Sequence, residues 1–476
     1  MTTRNTTRQH HNLAACVLCM LMLPSVASAQ HPMPIDPPRA EAAADALEEL
    51  LVARVEPTRA NFQAIVEYAM GAHAADARGY VARVHPRLLA HVSAWPDHAR
   101  EASQRSVRFG EVGPWLGLAT GLELVHEGPL PAVVASPHAR GLRSLTLHNP
   151  KLTRGHVAAI AASPNLSGLE VLEMVSNGLE PSRLEPLWEV GKLTNLRELV
   201  IGHNTLGLEG AKALASSKLA AQLEVLSVYN TRLDGASVAV LAASERLAGL
   251  HTLVLAMNEV CLEGARALAR STSLRNLRSL QIDETHARHC RMGARGTSVL
   301  VSSPVVANLV SLNLGGQQMG DEGAWAIASA ENLSKLETLI LYRNMISGRG
   351  FEVMMEAPHL ARLEMLSMHD NPIGDRGLMA MARSEFMGNL RQLYITGVGA
   401  TDDGLIALAE SRSLGALEDL DARQNAIGDA TARAISAAPW LGSIRTLALG
   451  GGRVSDMGYD RIERAARWSD GARLIR

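Results

Sequence analysis

Apolar residues recur along this chain in units of one size. From Leu142 onward a hexad L-x-x-L-x-L returns repeatedly. Its first position falls at Leu142, Leu169, Leu196, Leu223, Leu250, Leu277, Leu309, Leu336, Leu363, Leu390, Leu417 and Ile444. Ten of the eleven intervals are 27 residues, and the interval from Leu277 to Leu309 is 32. The clearest unit carries Leu196, Leu199 and Ile201, then Asn204, then Gly210, Ala211, Leu214 and Ala215. Leu199 and Ile201 alternate as in a short strand with one buried face. Ala211, Leu214 and Ala215 stand at i, i+3, i+4, which predicts an amphipathic helix. Asn177, Asn204, Asn258, Asn344, Asn371 and Asn425 share one place after the strand. There an amide that both donates and accepts can satisfy the backbone of the exit turn. Gly210, Gly264, Gly296, Gly323, Gly350, Gly377, Gly404 and Gly458 share another, where the chain turns into the helix.

A strand and a helix repeated in one direction predict an α/β fold, with a parallel sheet and helices on one face. Helices are about 10 Å wide and strands are spaced about 4.8 Å, so the array must curve with its strands inside. This pattern resembles the leucine-rich repeat family over residues 113–476. The 27-residue period and the G-x-x-G-A-x-A-L-A second half look like its ribonuclease-inhibitor-like subclass. The resemblance implies a solenoid, but specifies function only weakly. Residues 113–141 read as a degenerate first repeat. At the far end Gly450-Gly451-Gly452 replaces the asparagine turn, and Tyr459, Ile462, Ala466 and Trp468 read as a C-terminal cap helix.

The chain ahead of the array reads differently. Arg4 and Arg8 precede an apolar run from Leu13 to Leu23, then Pro24 and the small-residue triplet Ala27-Ser28-Ala29. That is the layout of a secretory signal peptide cleaved after Ala29. Eleven apolar residues are too few to span a bilayer core of about 30 Å. No later segment reaches that length, so the mature chain is expected to have no membrane span and to reside in the periplasm or outside the cell. Residues 30–112 read as a small helical region, either a cap over the open end of the array or a separate domain. Its helices are expected from the spacing of Leu47, Leu50 and Leu51, of Ile65 and Ala69, and of Leu88, Leu89 and Val92, with an interruption near Pro86.

Composition narrows the partners. The net charge is −2, which gives nucleic-acid binding no electrostatic support. No nucleophile motif, standard zinc spacing or phosphate loop occurs, so neither an enzyme nor a cofactor is expected. Information about function should then lie at the x positions around the last two apolar residues of each hexad, which face away from the core. Three of the six tyrosines, Tyr229, Tyr342 and Tyr394, fall there. The densest group is Tyr342, Arg343, His369, Asp370, Tyr394, Asp421 and Arg423, and Tyr and Arg are enriched at interface hot spots. As an acid–base set His369, Asp370, Asp421 and Arg423 would lie on an open face that excludes water poorly.

Cys16 and Cys19 leave with the signal, and Cys261 and Cys290 remain as a pair in an oxidising compartment. They occupy corresponding loops of neighbouring repeats, so a disulfide is expected. His286, His289 and Cys290 offer metal donors without a recognisable spacing or a fourth ligand. These readings point to an extracytoplasmic scaffold that binds a macromolecule, above all a protein, on the concave sheet. Two alternatives stay open: a regulator that inhibits or activates an enzyme, and a glycan-binding surface protein. Oligomeric state is not legible.

Overall fold

A computed structural model describes residues 85–103, 112–148, 151–189, 191–284, 290–465, 468 and 471–476, together with seven residues between Ala60 and Met70. The signal segment, its cleavage site, and His286 and His289 lie outside the described residues. Among the described residues fifteen parallel strands form one sheet in strict sequence order, from Glu101–Ser103 to Arg473–Ile475. Each strand pairs in register with the next, as Leu339 does with Leu312 on one side and Leu366 on the other. The helices pack side by side behind the sheet, each against the next. This is the α/β solenoid that the period predicts.

The repeated apolar positions supply a continuous core. Leu196, Leu199, Ile201 and Leu214 are fully buried, and their counterparts in other repeats join the same cluster. Full burial of such a side chain stabilises by roughly 1.5–3 kcal/mol. The asparagines form a ladder between repeats. Asn344 Oδ1 accepts from the backbone N–H of Gln317 at 2.9 Å, and its Nδ2 donates to Leu314 O at 2.8 Å and Leu341 O at 2.9 Å. Asn371 does the same for Asn344 and Ile346. A second ladder, not anticipated, joins helix starts. Asp375 accepts from the N–H groups of Thr401 and Gly404 in the next repeat, at 2.7 and 3.1 Å. Asp321, Asp402 and Asp429 cap their successors likewise.

That ladder also explains three of the recurrent glycines, Gly350, Gly404 and Gly458. None of the eight has a left-handed backbone. A Cβ at Gly404 would stand 2.5 Å from Asp375 Oδ1, and one at Gly350 would stand 2.4 Å from Asp321 Oδ1. Close approach of the preceding helix requires glycine at these three, whereas at Gly210, Gly264, Gly296, Gly323 and Gly377 a Cβ would first meet the side chain four residues earlier.

Both ends differ from expectation. The sheet starts within the stretch 30–112 read as a small helical region: Glu101–Ser103 pairs with Gly121–Leu124, which pairs with Ser144–His148. The offsets there are 20 and 23 residues instead of 27. Pro86 lies in the helix His85–Val92, and the residues before His85 on which the expected interruption turns lie outside the described residues. Leu88 and Val92 of that helix, with Phe62, Ile65, Val66 and Ala69, belong to the same core as the repeats. At the C-terminus the helix ends at Glu463, with Tyr459 and Ile462 buried. A fifteenth strand, Arg473–Ile475, then covers Thr446–Ala448, so the last element is a strand.

Candidate binding surface

The open face of the sheet is organised in columns, each running from strand to strand at one repeat position. One column reads His148, Val175, Gly202, Tyr229, Ala256, Asp283, Gly315, Tyr342, His369, Thr396, Arg423, Gly450. The strand spacing of about 4.8 Å leaves little room between these residues. Many positions expected to face solvent are therefore covered by their neighbours: Val200, Val254, Asp283, Asn313 and Ile340 are all buried.

Large side chains in this column lie down along the sheet, toward the N-terminal strands. Tyr342 lies across Gly315, where a Cβ would stand 2.2 Å from the ring. The phenol thereby passes over a whole strand, and its Oη donates to Asp283 Oδ2 at 2.7 Å. His369 then stacks on Tyr342, with centroids 4.6 Å apart and planes within 7°. Its Nδ1 is 2.9 Å from Ser367 Oγ. Tyr229 repeats the arrangement over Gly202, where a Cβ would meet its ring at 2.1 Å, and His203 meets the same ring edge-on at 5.0 Å.

Burial sets the charge states. It pushes the Asp283 carboxyl up, against opposing hydrogen bonds from Tyr342 and Gln281. It pushes the Tyr342 phenol up as well, with Asp283 adding to the effect. It holds the His369 imidazole below its usual range, so at neutral pH the stacked ring is uncharged. Tyr229 is pushed up to about 12 by burial and by Glu173. Tyr394 is raised by burial, with Asp419 and Asp421 contributing.

The charged members of the group are already paired with one another. Arg343 Nε lies 3.0 Å from Asp370 Oδ2, and its Nη1 lies 3.5 Å from Glu284 Oε1. Arg423 grips Asp421 through Nε at 2.9 Å and Nη2 at 2.6 Å. Burial pushes the Asp421 carboxyl up, but hydrogen bonds led by that from Arg423 outweigh it and hold the group below its usual range. Tyr394 stands opposite Asp421 in the strand register.

Tyr342, Arg343, His369, Asp370, Tyr394, Asp421 and Arg423 thus occupy four consecutive strands as one patch. Tyr229 is not part of it. Three strands separate the strand of Tyr229 from that of Tyr342. Reading the hexads also missed Asp283 and Glu284, which anchor Tyr342 and Arg343 from two strands away. It missed Glu198, whose column was not counted; burial and Glu173 push that carboxyl up to about 7. One signal was available: glycine exactly one repeat before Tyr229 and Tyr342 marks where a ring can lie flat.

The next column is a turn, not free surface. Ser176, His203, Asn230, Met257, Glu284, Arg343, Asp370 and Gln424 have φ between 45° and 60°, and Gly316, Gly397 and Gly451 continue it. The left-handed conformation favours Gly, Asn and Asp there, so folding does restrict these identities. Cys261 is also left-handed, at the helix entry where Gly207, Gly320 and Gly374 stand in other repeats. It is bonded to Cys290, with Cα atoms 4.9 Å apart. Cys290, two residues before Met292, takes the place of a ladder asparagine. Among the described residues no group of three or more His, Cys, Asp or Glu could hold a metal ion. Among them, too, no helix is long and apolar enough to cross a membrane.

No curated protein matches the chain in sequence. A sequence-family model described as Leucine Rich repeat matches residues 192–215 and 363–382. Among solved structures, the Rad7 and Elc1 complex in yeast is similar at TM-score 0.52 and 14% identity, covering 100% of this chain and 98% of that one. A leucine-rich repeat protein of Leptospira interrogans has TM-score 0.37 and 17% identity, covering 76% and 91%. An internalin from Listeria monocytogenes has TM-score 0.41 and 17% identity, covering 77% and 92%. At these identities the likeness concerns the fold. The matched segments, the period and the parallel solenoid together support the leucine-rich repeat family for this chain.

Proposed function

We propose that the chain is a non-catalytic, extracytoplasmic scaffold that recognises a protein partner through the open face of its sheet. The observation that carries this reading is the fixed Asp283–Tyr342–His369 stack. Three side chains from three strands are held in one geometry before any partner arrives, so little rotamer entropy remains to be lost on binding. Around them Arg343, Asp370 and Tyr394 provide charge and a further ring at the surface. The 27-residue period and the secretory layout of residues 1–29 support the subclass and the location proposed from the sequence.

A catalytic role has less support. The ions of the patch neutralise one another, and the His369 ring is stacked and hydrogen-bonded rather than left open as a base. The ring pair Tyr342–His369 gives the glycan-binding reading its one specific observation, because sugars stack on such faces. Affinity capture from envelope and culture fractions with residues 30–476 as bait separates these readings. A protein recovered in stoichiometric amount supports the proposal. Polysaccharide alone, or conversion of a bound substrate, contradicts it.

A further inference from the structure

A different edge of the sheet carries a second feature. Residues just after the first hexad leucine line the N-terminal ends of the strands, and most of them alternate in charge. Arg143 pairs with Glu170, and Arg197 Nε lies 3.6 Å from Glu224. Further along, Arg391 bridges Glu364 and Glu418, which also holds Arg445 at 3.2 Å. The ladder breaks in the middle, where the same position reads His251, Arg278, Val310. There a surface pocket of about 380 Å³ opens, lined by these three residues with Asn276, Asn308 and Lys335.

Two cations line this pocket and no carboxylate does. The acidic residues on either side are already engaged, Glu224 with Arg197 and Glu337 with Arg362. Among the described residues Arg278 has no ion pair, unlike its counterparts at Arg143, Arg197, Arg391 and Arg445. Lys335 is held in place, its Nζ donating to Asn308 Oδ1 at 2.6 Å. Asn308 is in turn anchored by donating from Nδ2 to Arg275 O at 2.9 Å, and Asn276 donates to Ala248 O at 2.9 Å. Folding therefore uses the asparagines and leaves the Arg278 fork and the remaining Lys335 donors facing the space.

We propose that this pocket binds a multiply charged oxyanion: a phosphoryl, sulfuryl or polycarboxylate group. Arg278 would grip two oxygens with its planar fork, and Lys335 would supply a point charge beside it. The 380 Å³ volume accommodates such a group with a small carrier attached. The proposal is independent of the open-face reading, since it uses none of the same residues.

The test is calorimetric titration of the full chain with inorganic phosphate, sulfate and citrate, at ionic strength held constant with sodium chloride. Saturable one-to-one binding of at least one probe is expected, and which one binds identifies the chemistry of the natural group. Arg278→Gln should weaken that binding roughly tenfold or more. Arg278→Lys should retain part of it. Arg349→Gln, on a distant helix, should leave it unchanged. Arg278 is exposed, so the variants should melt with the parent chain, which a thermal scan checks. Heats no larger than those with chloride for all three probes overturn the proposal. So does an unchanged affinity in both Arg278→Gln and Lys335→Gln.

Discussion

The Tyr342 hydroxyl donates to the Asp283 carboxylate at 2.7 Å, although the two residues are 59 positions apart and a whole strand lies between them. Gly315 makes that reach geometrically available. Gly315→Ala puts a methyl group 2.2 Å from the Tyr342 ring and forces the ring off the sheet. Overpacking of this kind costs about 1–3 kcal/mol, read as a shift in the midpoint of urea unfolding. Stacking of His369 should be lost with it, visible as a change in near-ultraviolet circular dichroism.

Removing only the hydroxyl tests the charge state beneath it. A carboxyl with a raised folded pKa is most favourable to stability below its unfolded value of about 4, and that contribution is lost as pH rises through the folded value. Tyr342→Phe removes a donor that opposes the rise, so the loss should deepen at high pH. The variant should be destabilised by about 1–3 kcal/mol at pH 8 and by less at pH 4. Equal destabilisation at both values would remove Asp283 from the account.

Glu198 gives a second pH signature. Its carboxyl is raised to about 7 by burial and by Glu173. The contribution is present below about pH 4.5 and falls away as pH rises to 7, an effect of up to roughly 3 kcal/mol. Glu198→Gln should therefore flatten the stability profile between those values. At pH 7.5 it should be more stable than the parent in urea unfolding.

The two inter-repeat ladders should differ in weight. Asn344→Ala strands the buried N–H of Gln317 and the carbonyls of Leu314 and Leu341, and should cost about 2 kcal/mol or more. Asp375→Ala removes an exposed cap from the next helix, and should cost about 1 kcal/mol. Equilibrium unfolding of both variants checks the order.

The Cys261–Cys290 bond closes a loop with a sequence separation of 29. Chain-entropy arguments give roughly 3–4 kcal/mol for a loop of that size. The unreduced protein should be lighter by two hydrogens than the reduced one in an intact-mass measurement. Cys261→Ala should unfold at lower urea.

Much of this architecture was legible because a 27-residue spacing forces every apolar position into register. The strand, the amphipathic helix and the ladder asparagines follow from Leu199, Leu214 and Asn204 alone. The ends were not legible in the same way. Glu101–Ser103 joins the sheet at an offset of 20 residues, which breaks the period that announces the others. Within the patch, composition drew attention to Tyr342 and Arg343 but not to their anchors. Asp283 and Glu284 lie two repeats away, and only the empty place at Gly315 brings Asp283 within reach. The turn column was misread because hexad positions reveal alternation and not the sign of φ. Arg343 and Asp370 therefore looked unconstrained when each sits in a left-handed turn.

The central claim is that a partner docks on the patch from Tyr342 to Arg423. Tyr342 holds a buried carboxylate and Arg423 a partly buried one, so the cleaner probe is the double variant Arg343→Gln with Tyr394→Ala. Its binding to the captured partner should be compared, by surface plasmon resonance, with that of Trp325→Ala with Val353→Ala. The latter pair is exposed on the helical side. The account predicts that the first variant loses binding by roughly a hundredfold, as for a hot-spot pair. The second should bind as the parent does, and both should keep near-parental melting temperatures. Parental affinity in the first variant, with loss in the second, would place the partner on the helices and contradict the account.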